Sequence, residues 1–423
     1  MQNKIRRPLR TLFYLLLLNT FNNNSVFASE DMFKFSGFAT LGAIYNDSND
    51  LGFHTNFKTP ARSGFSFAPD SLIGAQANIE FNAQWDAVVQ AVYRDKLDDK
   101  VLNYLDVAFL RYHLDNSWEI RAGRMNTDIY FLSEYKSVGY AYLWARPPSE
   151  FYGKVSSVSQ FEGADVLYKR SFGDGFLQIK LGFGESDATV ATIGSAFDIH
   201  FTNMMMASLT YQQDNWQVRA SLLDTKVDEF SASTRTIEEA IALFPPTIWP
   251  GGPELRDRLS FVGKKQQFFG LGYQYDNDLW LVQSEVGFID SEWDLERDTV
   301  SGYISVGYQP ENITYYATIS AVRPTKNNVS DDVGEISPSA PEYAVAIIQS
   351  FQPLIRKALD QNLIKQHTFS VGAKWQLSPS LVAKLQVDYS IIANNNFSLW
   401  RLYNEPDSGQ EVTVSSLNLN WIF

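Results

Sequence analysis

From residue 33 onward the chain alternates apolar and polar side chains in runs of about ten, each ending in a cluster of Asn, Asp, Gly, Pro or Ser. Period two marks a strand with one apolar and one polar face. Trp216, Val218, Ala220 and Leu222 share one face, and Gln217, Arg219 and Ser221 the other. Leu177, Ile179, Leu181 and Phe183 oppose Gln178 and Lys180 in the same way. So do Leu381, Ala383, Leu385, Val387 and Tyr389 against Lys384, Gln386 and Asp388. The pattern predicts sixteen strands: 33–46, 71–84, 86–95, 103–114, 117–126, 160–170, 175–185, 197–212, 215–225, 265–276, 279–292, 299–309, 312–323, 366–377, 381–392 and 411–423.

The connections have a rhythm of their own. Seven are tight, at Gln84-Trp85-Asp86, Asp115-Asn116-Ser117, Phe172-Gly173-Asp174-Gly175, Asp214-Asn215, Asp276-Asn277-Asp278, Pro310-Glu311-Asn312 and Ser378-Pro379-Ser380. These are the residues that turns require. The eight between them read as long. Short turns on one rim and long loops on the other describe an even-stranded membrane barrel with both ends on the short-turn side.

No segment after residue 30 is apolar for long enough to cross a membrane as a helix. A spanning fold must then be a closed barrel, which alone among sheets leaves no backbone group unsatisfied in lipid. A soluble sandwich would also alternate, but Trp85, Trp118, Trp216, Trp280 and Trp375 sit at strand ends, as an interfacial girdle does. A charged side chain at mid-membrane on the lipid face costs about 2–4 kcal/mol, so mid-strand charges point inward. Sixteen strands enclose a lumen too wide for its lining to fill, and a water-filled channel follows. The expected fold is all-β: a transmembrane antiparallel barrel of sixteen strands.

The two ends agree with export. Lys4, Arg6, Arg7 and Arg10 precede the short apolar run Leu12 to Leu18, and Val26-Phe27-Ala28 offers a cleavage site before Ser29. Residues 1–28 are read as a signal peptide and 29–423 as one barrel domain. At the other end Leu417, Leu419, Trp421 and Phe423 alternate with Asn418, Asn420 and Ile422. A terminal Phe on such a strand resembles the signal that assembly machinery recognises in bacterial outer-membrane barrels.

Composition narrows the partners. Residues 1–28 hold four basic residues and no acidic one, so their removal takes the formal charge from −13 to −17. Nucleic acid, which needs a basic face, is excluded as a partner. With no cysteine, disulfides and thiolate metal sites are excluded too. No cofactor or metal is expected. Acidic loop runs such as Asp47-Ser48-Asn49-Asp50 read as solvated loops before they read as calcium sites. The acidic total leans slightly towards cation passage.

The connection from Thr127 to Ser159 holds Tyr130, Phe131, Tyr135, Tyr140, Tyr142, Trp144, Phe151 and Tyr152. Here the chain resembles the Gram-negative trimeric general diffusion porins. Ala122-Gly123-Arg124-Met125-Asn126-Thr127 is similar to the Gly-Arg step from their fifth strand into the third loop. Pro148-Ser149-Glu150-Phe151-Tyr152-Gly153 is similar to a disturbed Pro-Glu-Phe-Gly segment. The resemblance implies that this loop folds into the lumen and narrows it, and that the protein is a homotrimer in outer-membrane lipid and lipopolysaccharide. It also implies loop carboxylates facing wall cations, with Glu134 and Glu150 on the acidic side. By strand alternation the basic candidates are Arg94, Arg121, Lys180, Arg219 and Lys384. Small hydrophilic solutes and ions are the expected cargo. The alternatives are a sugar path over the loop aromatics and a structural or adhesion barrel plugged by its loops.

Within the loop 324–365, Tyr343, Ala344, Ile347, Ile348, Phe351, Leu354, Ile355, Ala358 and Leu359 recur at helical spacing, with Pro353 inside. The histidines are His54, His113, His200 and His367; none forms a His-x-x-x-His pair, and there is no Gly-x-Ser-x-Gly elbow. The chain is not expected to be an enzyme.

Overall fold

The computed structural model describes residues 32–97, 100–191, 196–230, 238–293, 297–325, 333–360, 364–393, 399–404 and 409–423. The export segment 1–28 lies outside the described residues. Sixteen long strands follow one another: β1 (Phe33–Asn46), β2 (Leu72–Glu80), β3 (Trp85–Arg94), β4 (Leu105–His113), β5 (Trp118–Asn126), β6 (Gln160–Phe172), β7 (Gly175–Ala191) and β8 (Ala196–Gln213). Then come β9 (Trp216–Phe230), β10 (Lys265–Asp276), β11 (Trp280–Ser291), β12 (Thr299–Tyr308), β13 (Ile313–Pro324), β14 (Gln366–Ser378), β15 (Leu381–Ile392) and β16 (Gln410–Ile422). Each pairs antiparallel with its neighbours in sequence, and β1 pairs with both β2 and β16, so the sheet closes. Every predicted strand is present.

The tight turns form as their residues dictate. Asp214, Asp278 and Glu311 adopt positive φ (37°, 69° and 49°), and Gly173 does so at 57°. In two others an Asx side chain closes the turn: Asp115 Oδ1 accepts from the Ser117 and Trp118 amides, and Asn82 Oδ1 from those of Gln84 and Trp85.

The opposite rim departs from expectation in one place. β7 runs on to Ala191 and β8 starts at Ala196, so only residues 192–195 join them and this connection is not long. Past residue 185 the faces exchange roles: Ala188 and Val190 turn inward into the main apolar cluster, and Asp187 and Thr189 lie on the other face. Outside the hydrocarbon the outer face meets water and the inner face meets the loops, so apolar and polar side chains swap sides while the ladder continues. β8 also carries a bulge between Thr202 and Met205, with Asn203 at φ 51°. The extra residue keeps Phe201 and Met204 both buried.

Alternation puts the apolar faces outside. Leu41, Ile73, Leu181, Leu222, Ile319 and Leu417 are exposed on the outer wall. At the tight-turn rim Trp85 packs on Tyr112, Trp118 on Tyr168, Trp280 on Tyr308 and Trp421 on Phe423, with ring centroids 4.6–5.1 Å apart. At the other rim Tyr93 meets Tyr104 and Phe269 meets Phe288. An apolar belt between two aromatic rings is the surface a bilayer selects.

Among the helices of the long connections are α1, one turn at Ser149–Tyr152, α2 (Gly252–Leu259) and α3 (Glu342–Asp360). α3 falls where the helical spacing placed it. It buries Ala344, Ile348 and Ile355 and leaves Tyr343, Ile347 and Leu354 exposed. α2 was not legible as a helix; Pro253 starts it and Leu255 and Leu259, one turn apart, bury against Trp249 and the main cluster. The main apolar cluster joins residues of the 127–159 connection to Phe268, Tyr303 and Tyr316 on the barrel wall and to α2 and α3.

Candidate pore constriction

The connection 127–159 starts from β5. Gly123 stands at φ +136°, and a Cβ there would lie 2.3 Å from the Ala108 carbonyl oxygen, so only glycine fits beside β4. After it Met125, Asn126 and Thr127 are all buried, an unusual state for residues entering a loop. Nearly all of the segment 126–133 is buried likewise, because its bonding partners are the inward faces of the strands.

On the β5–β9 wall the loop meets a charge cluster. Arg121 Nε donates to Asp165 at 2.9 Å and its Nη2 reaches Glu134 at 3.3 Å. Lys180 Nζ lies 2.7 Å from Glu134 and 3.1 Å from Asp128. Arg219 pairs with Asp128 at 2.5 Å and donates to its carbonyl oxygen, and Ser208 donates to Asp128 Oδ2. Three cations thus balance three carboxylates. Burial alone would raise the two loop carboxyls, but the surrounding cations outweigh it. Lys180 and Arg121 hold Glu134 at about 2, and Arg219 and Lys180 hold Asp128 far below the ordinary carboxylate range.

The other end of the loop is fixed to the facing wall. Arg146 forks onto Asp70, its Nη1 reaches Asp388 at 3.2 Å, and its Nη2 donates to Ser416. Its guanidinium also sits 4.1 Å over the Phe53 ring. Lys384 Nζ donates to the carbonyls of Gly139, Tyr142 and Trp144 at 2.5–2.7 Å, and Lys374 to those of Tyr140 and Tyr142. Trp144, fully buried, donates to Ser305 and Thr318 and stands edge-on to Tyr303. Tyr140 reaches down to the tight-turn rim, where its hydroxyl donates to the Pro379 carbonyl oxygen.

The sequence-predicted residues therefore fall as follows. Glu134, Arg121, Lys180 and Arg219 come together in one network, through direct pairs rather than across a gap. Lys384 binds loop carbonyls on the facing wall. Arg94 pairs with Asp106 at 3.3 Å and donates to Ser137 of the loop. Glu150 stands apart from every cation named here: it accepts from Ser320, Gln366 and Thr368 and is fully buried. Sequence reasoning missed Asp128, Arg146, Asp70, Asp106, Asp165 and Glu285. Strand alternation could have found Asp165, which shares its face with Leu167 and Gly163; nothing marks Arg146. Glu285 accepts from the Phe131 amide and from the hydroxyls of Tyr152 and Tyr303, joining the loop aromatics to β11 and β12.

The wall behind the loop is occluded. Gln366, Lys384, Asn418 and Asn420 face inward yet are at most 1% exposed. A closed sixteen-strand barrel with a third long connection bonded across its inner wall is a specific arrangement. The outer-membrane channel DcaP of Acinetobacter baumannii aligns with the barrel at TM-score 0.53 and 12% identity, covering 95% of this chain and all of that one. Salmonella typhi OmpF in complex with daunomycin aligns at 0.52 and 12% identity, over 92% and 97% of the two chains. This is the fold of the outer-membrane porins. An anion-selective porin from Comamonas acidovorans aligns over 92% of this chain and 99% of its own, at TM-score 0.51 and 12% identity. No family model and no curated protein matches the sequence. What the porin fold shares with this chain is architecture; its pairs and loop contacts are its own.

Proposed function

We propose that the protein is an outer-membrane channel, exported with loss of residues 1–28 and assembled as a homotrimer in lipid and lipopolysaccharide, through which small hydrophilic solutes and ions diffuse passively. It is a conduit and not an enzyme. The observation that carries the reading is the loop 127–159 held across the lumen of a porin-fold barrel, by Asp128 and Glu134 on one wall and by Arg146 and Lys384 on the other. Because the network pairs its charges one to one, the constriction is narrow and close to neutral, and size discriminates more than charge. Glu134, Arg121, Lys180 and Arg219 line it in this reading, with Arg94 above and Lys384 and Glu150 anchoring the loop.

A second reading has an observation of its own: inward polar residues on β14–β16 are sealed from solvent, as in a barrel plugged by its loops. Single-channel conductance of the refolded mature chain in a planar bilayer separates the two. Small, stable conductance closing in three equal steps is expected, with reversal potential in a salt gradient near zero. A correctly folded barrel that passes no current sinks the channel and leaves the plugged barrel.

A further inference from the structure

At the tight-turn mouth, next to the constriction network, four strands send a row of charged side chains into the lumen. Trp85 of β3 and Tyr112 of β4 pack together on the outer wall, as do Trp118 of β5 and Tyr168 of β6. Their sequence neighbours Asp86, Arg111, His113, Glu119 and Lys169 therefore point inward. Arg111 forks onto Asp86, with Nε and Nη2 at 2.9–3.1 Å, and Lys169 pairs with Glu119. Between the two pairs stands His113, its Nε2 2.7 Å from Asp86 Oδ2 and its Nδ1 3.7 Å from Glu119 Oε1. The first distance is a hydrogen bond and the second is not. The proton of a neutral ring sits on Nε2, because a bare nitrogen there would face a carboxylate at bonding distance. That leaves a bare Nδ1 turned towards the second carboxylate.

The fixed charges around the ring already have partners. Arg111 lies opposite Arg121 in the β4–β5 register, and Arg121 is held by Asp165 and Glu134. Lys34 of β1 and Glu80 of β2 pair with each other at the same rim, and Asp115, in the turn after β4, caps backbone amides. Carboxylate, guanidinium and ammonium groups ordinarily keep their charges between pH 5 and 8, whereas an imidazole changes its own there. Protonation puts an N–H on Nδ1, facing Glu119. Arg111, Asp86, His113, Glu119 and Lys169 then alternate in sign without a break across four strands.

We propose that His113 sets the charge preference of the conduit. With the ring neutral, the row adds nothing to a balanced constriction. With the ring protonated, it adds one positive charge beside Arg111 and Arg121, and passage turns towards anions. This role rests on the channel reading above. It needs no movement of any strand, because one proton changes the potential that an ion meets in passing. Residues 29–31 lie outside the described residues, and the change is one unit charge whatever they contribute. In water a unit charge about 6 Å from the path is worth roughly threefold in the occupancy of an ion.

The reversal potential of the refolded mature chain in a planar bilayer, under a potassium chloride gradient at pH 8 and at pH 5, tests it. The wild type should be nearly unselective at pH 8 and gain about twofold or more in chloride-over-potassium permeability at pH 5. His113→Gln keeps a donor towards Asp86 and should hold the pH 8 value throughout, whereas His113→Lys should show the acid preference at both. His200→Gln, on the outer wall beside Asp187, should follow the wild type. Wild-type selectivity that does not change with pH, or a change equally large in His113→Gln, overturns the proposal. A folded barrel that passes no current removes the channel and this role with it, whereas conduction with pH-independent selectivity keeps the channel and removes His113 alone.

Discussion

Arg146→Ala should unfasten the loop from the wall it faces. Arg146 is the shared partner of Asp70 and Asp388, whose side chains are 4% and 10% exposed. Removing one member of a buried ion pair costs about 3–5 kcal/mol, because the remaining charge is left desolvated. Here two carboxylates are left, and both regain water only when the loop moves off. The cost is therefore paid by the docked state alone. Taking the low end, about 3 kcal/mol shifts the docked–undocked equilibrium roughly a hundredfold, since each 1.4 kcal/mol is tenfold. Lys384 still holds its three loop carbonyls, so the barrel and the rest of the loop stay in place. Single-channel recording should show larger and noisier openings, and amide exchange should rise at Ala145 and Arg146, whose amides donate to Gln386. Adding Asp70→Asn and Asp388→Asn to Arg146→Ala removes the stranded charges and should restore part of the quiet state. A folded Arg146→Ala protein with wild-type conductance and wild-type exchange would refute the idea that this fork fixes the loop.

Three further outcomes are expected. Arg121→Gln leaves Asp165 and Glu134 short of a cation and should move the reversal potential towards cations; no movement would take Arg121 out of the constriction. Glu134 has its folded pKa lowered from 4.5 to about 2, so its contribution to loop docking is complete above about pH 4.5 and is lost as pH falls through about 2. Current noise should accordingly stay flat down to pH 4.5 and grow only below it. Ile319→Arg places a charge on the outer wall in the middle of β13 and should cost about 2–4 kcal/mol in urea-titrated folding into lipid vesicles, whereas a value near zero would place that wall outside the bilayer.

The barrel was readable in the sequence because its rule is local. Residues two apart share a face, and lipid on one side and polar groups on the other force each strand to declare both faces. Beyond Gly184 on β7 the apolar face switches from outside to inside, with Ala188 and Val190 buried and Asp187 exposed, and that break in phase hid the strand's extent. The site was readable in part for the same reason. Alternation found Arg121, Lys180, Arg219 and Lys384 on inward positions, but could not say that the first three share carboxylates with each other. Glu134 and Glu150 look alike as loop carboxylates, yet one sits among cations and the other among hydroxyls and an amide. That difference is set by partners such as Thr368, 218 residues away from Glu150, and no spacing records it. Arg146 was missed for the same cause, its partner Asp388 lying 242 residues downstream.

The loop also touches the seam where the cylinder is sewn shut. Asn418 of β16 donates to the Ala145 carbonyl at 2.8 Å, Ser416 meets Arg146, and Gly139 leaves so little room that a methyl there would lie 2.1 Å from Asn420. β1 and β16 come from opposite ends of the chain, so theirs is the slowest contact to find and a natural last step. A final strand that finds Ala145 and Arg146 already waiting gains two hydrogen bonds on arrival; one that finds the space empty, or filled askew, gains none. The lumenal loop thus works as a template for its own enclosure. Damage to it should surface first as chains that fail to mature, before any change in what the finished protein lets through.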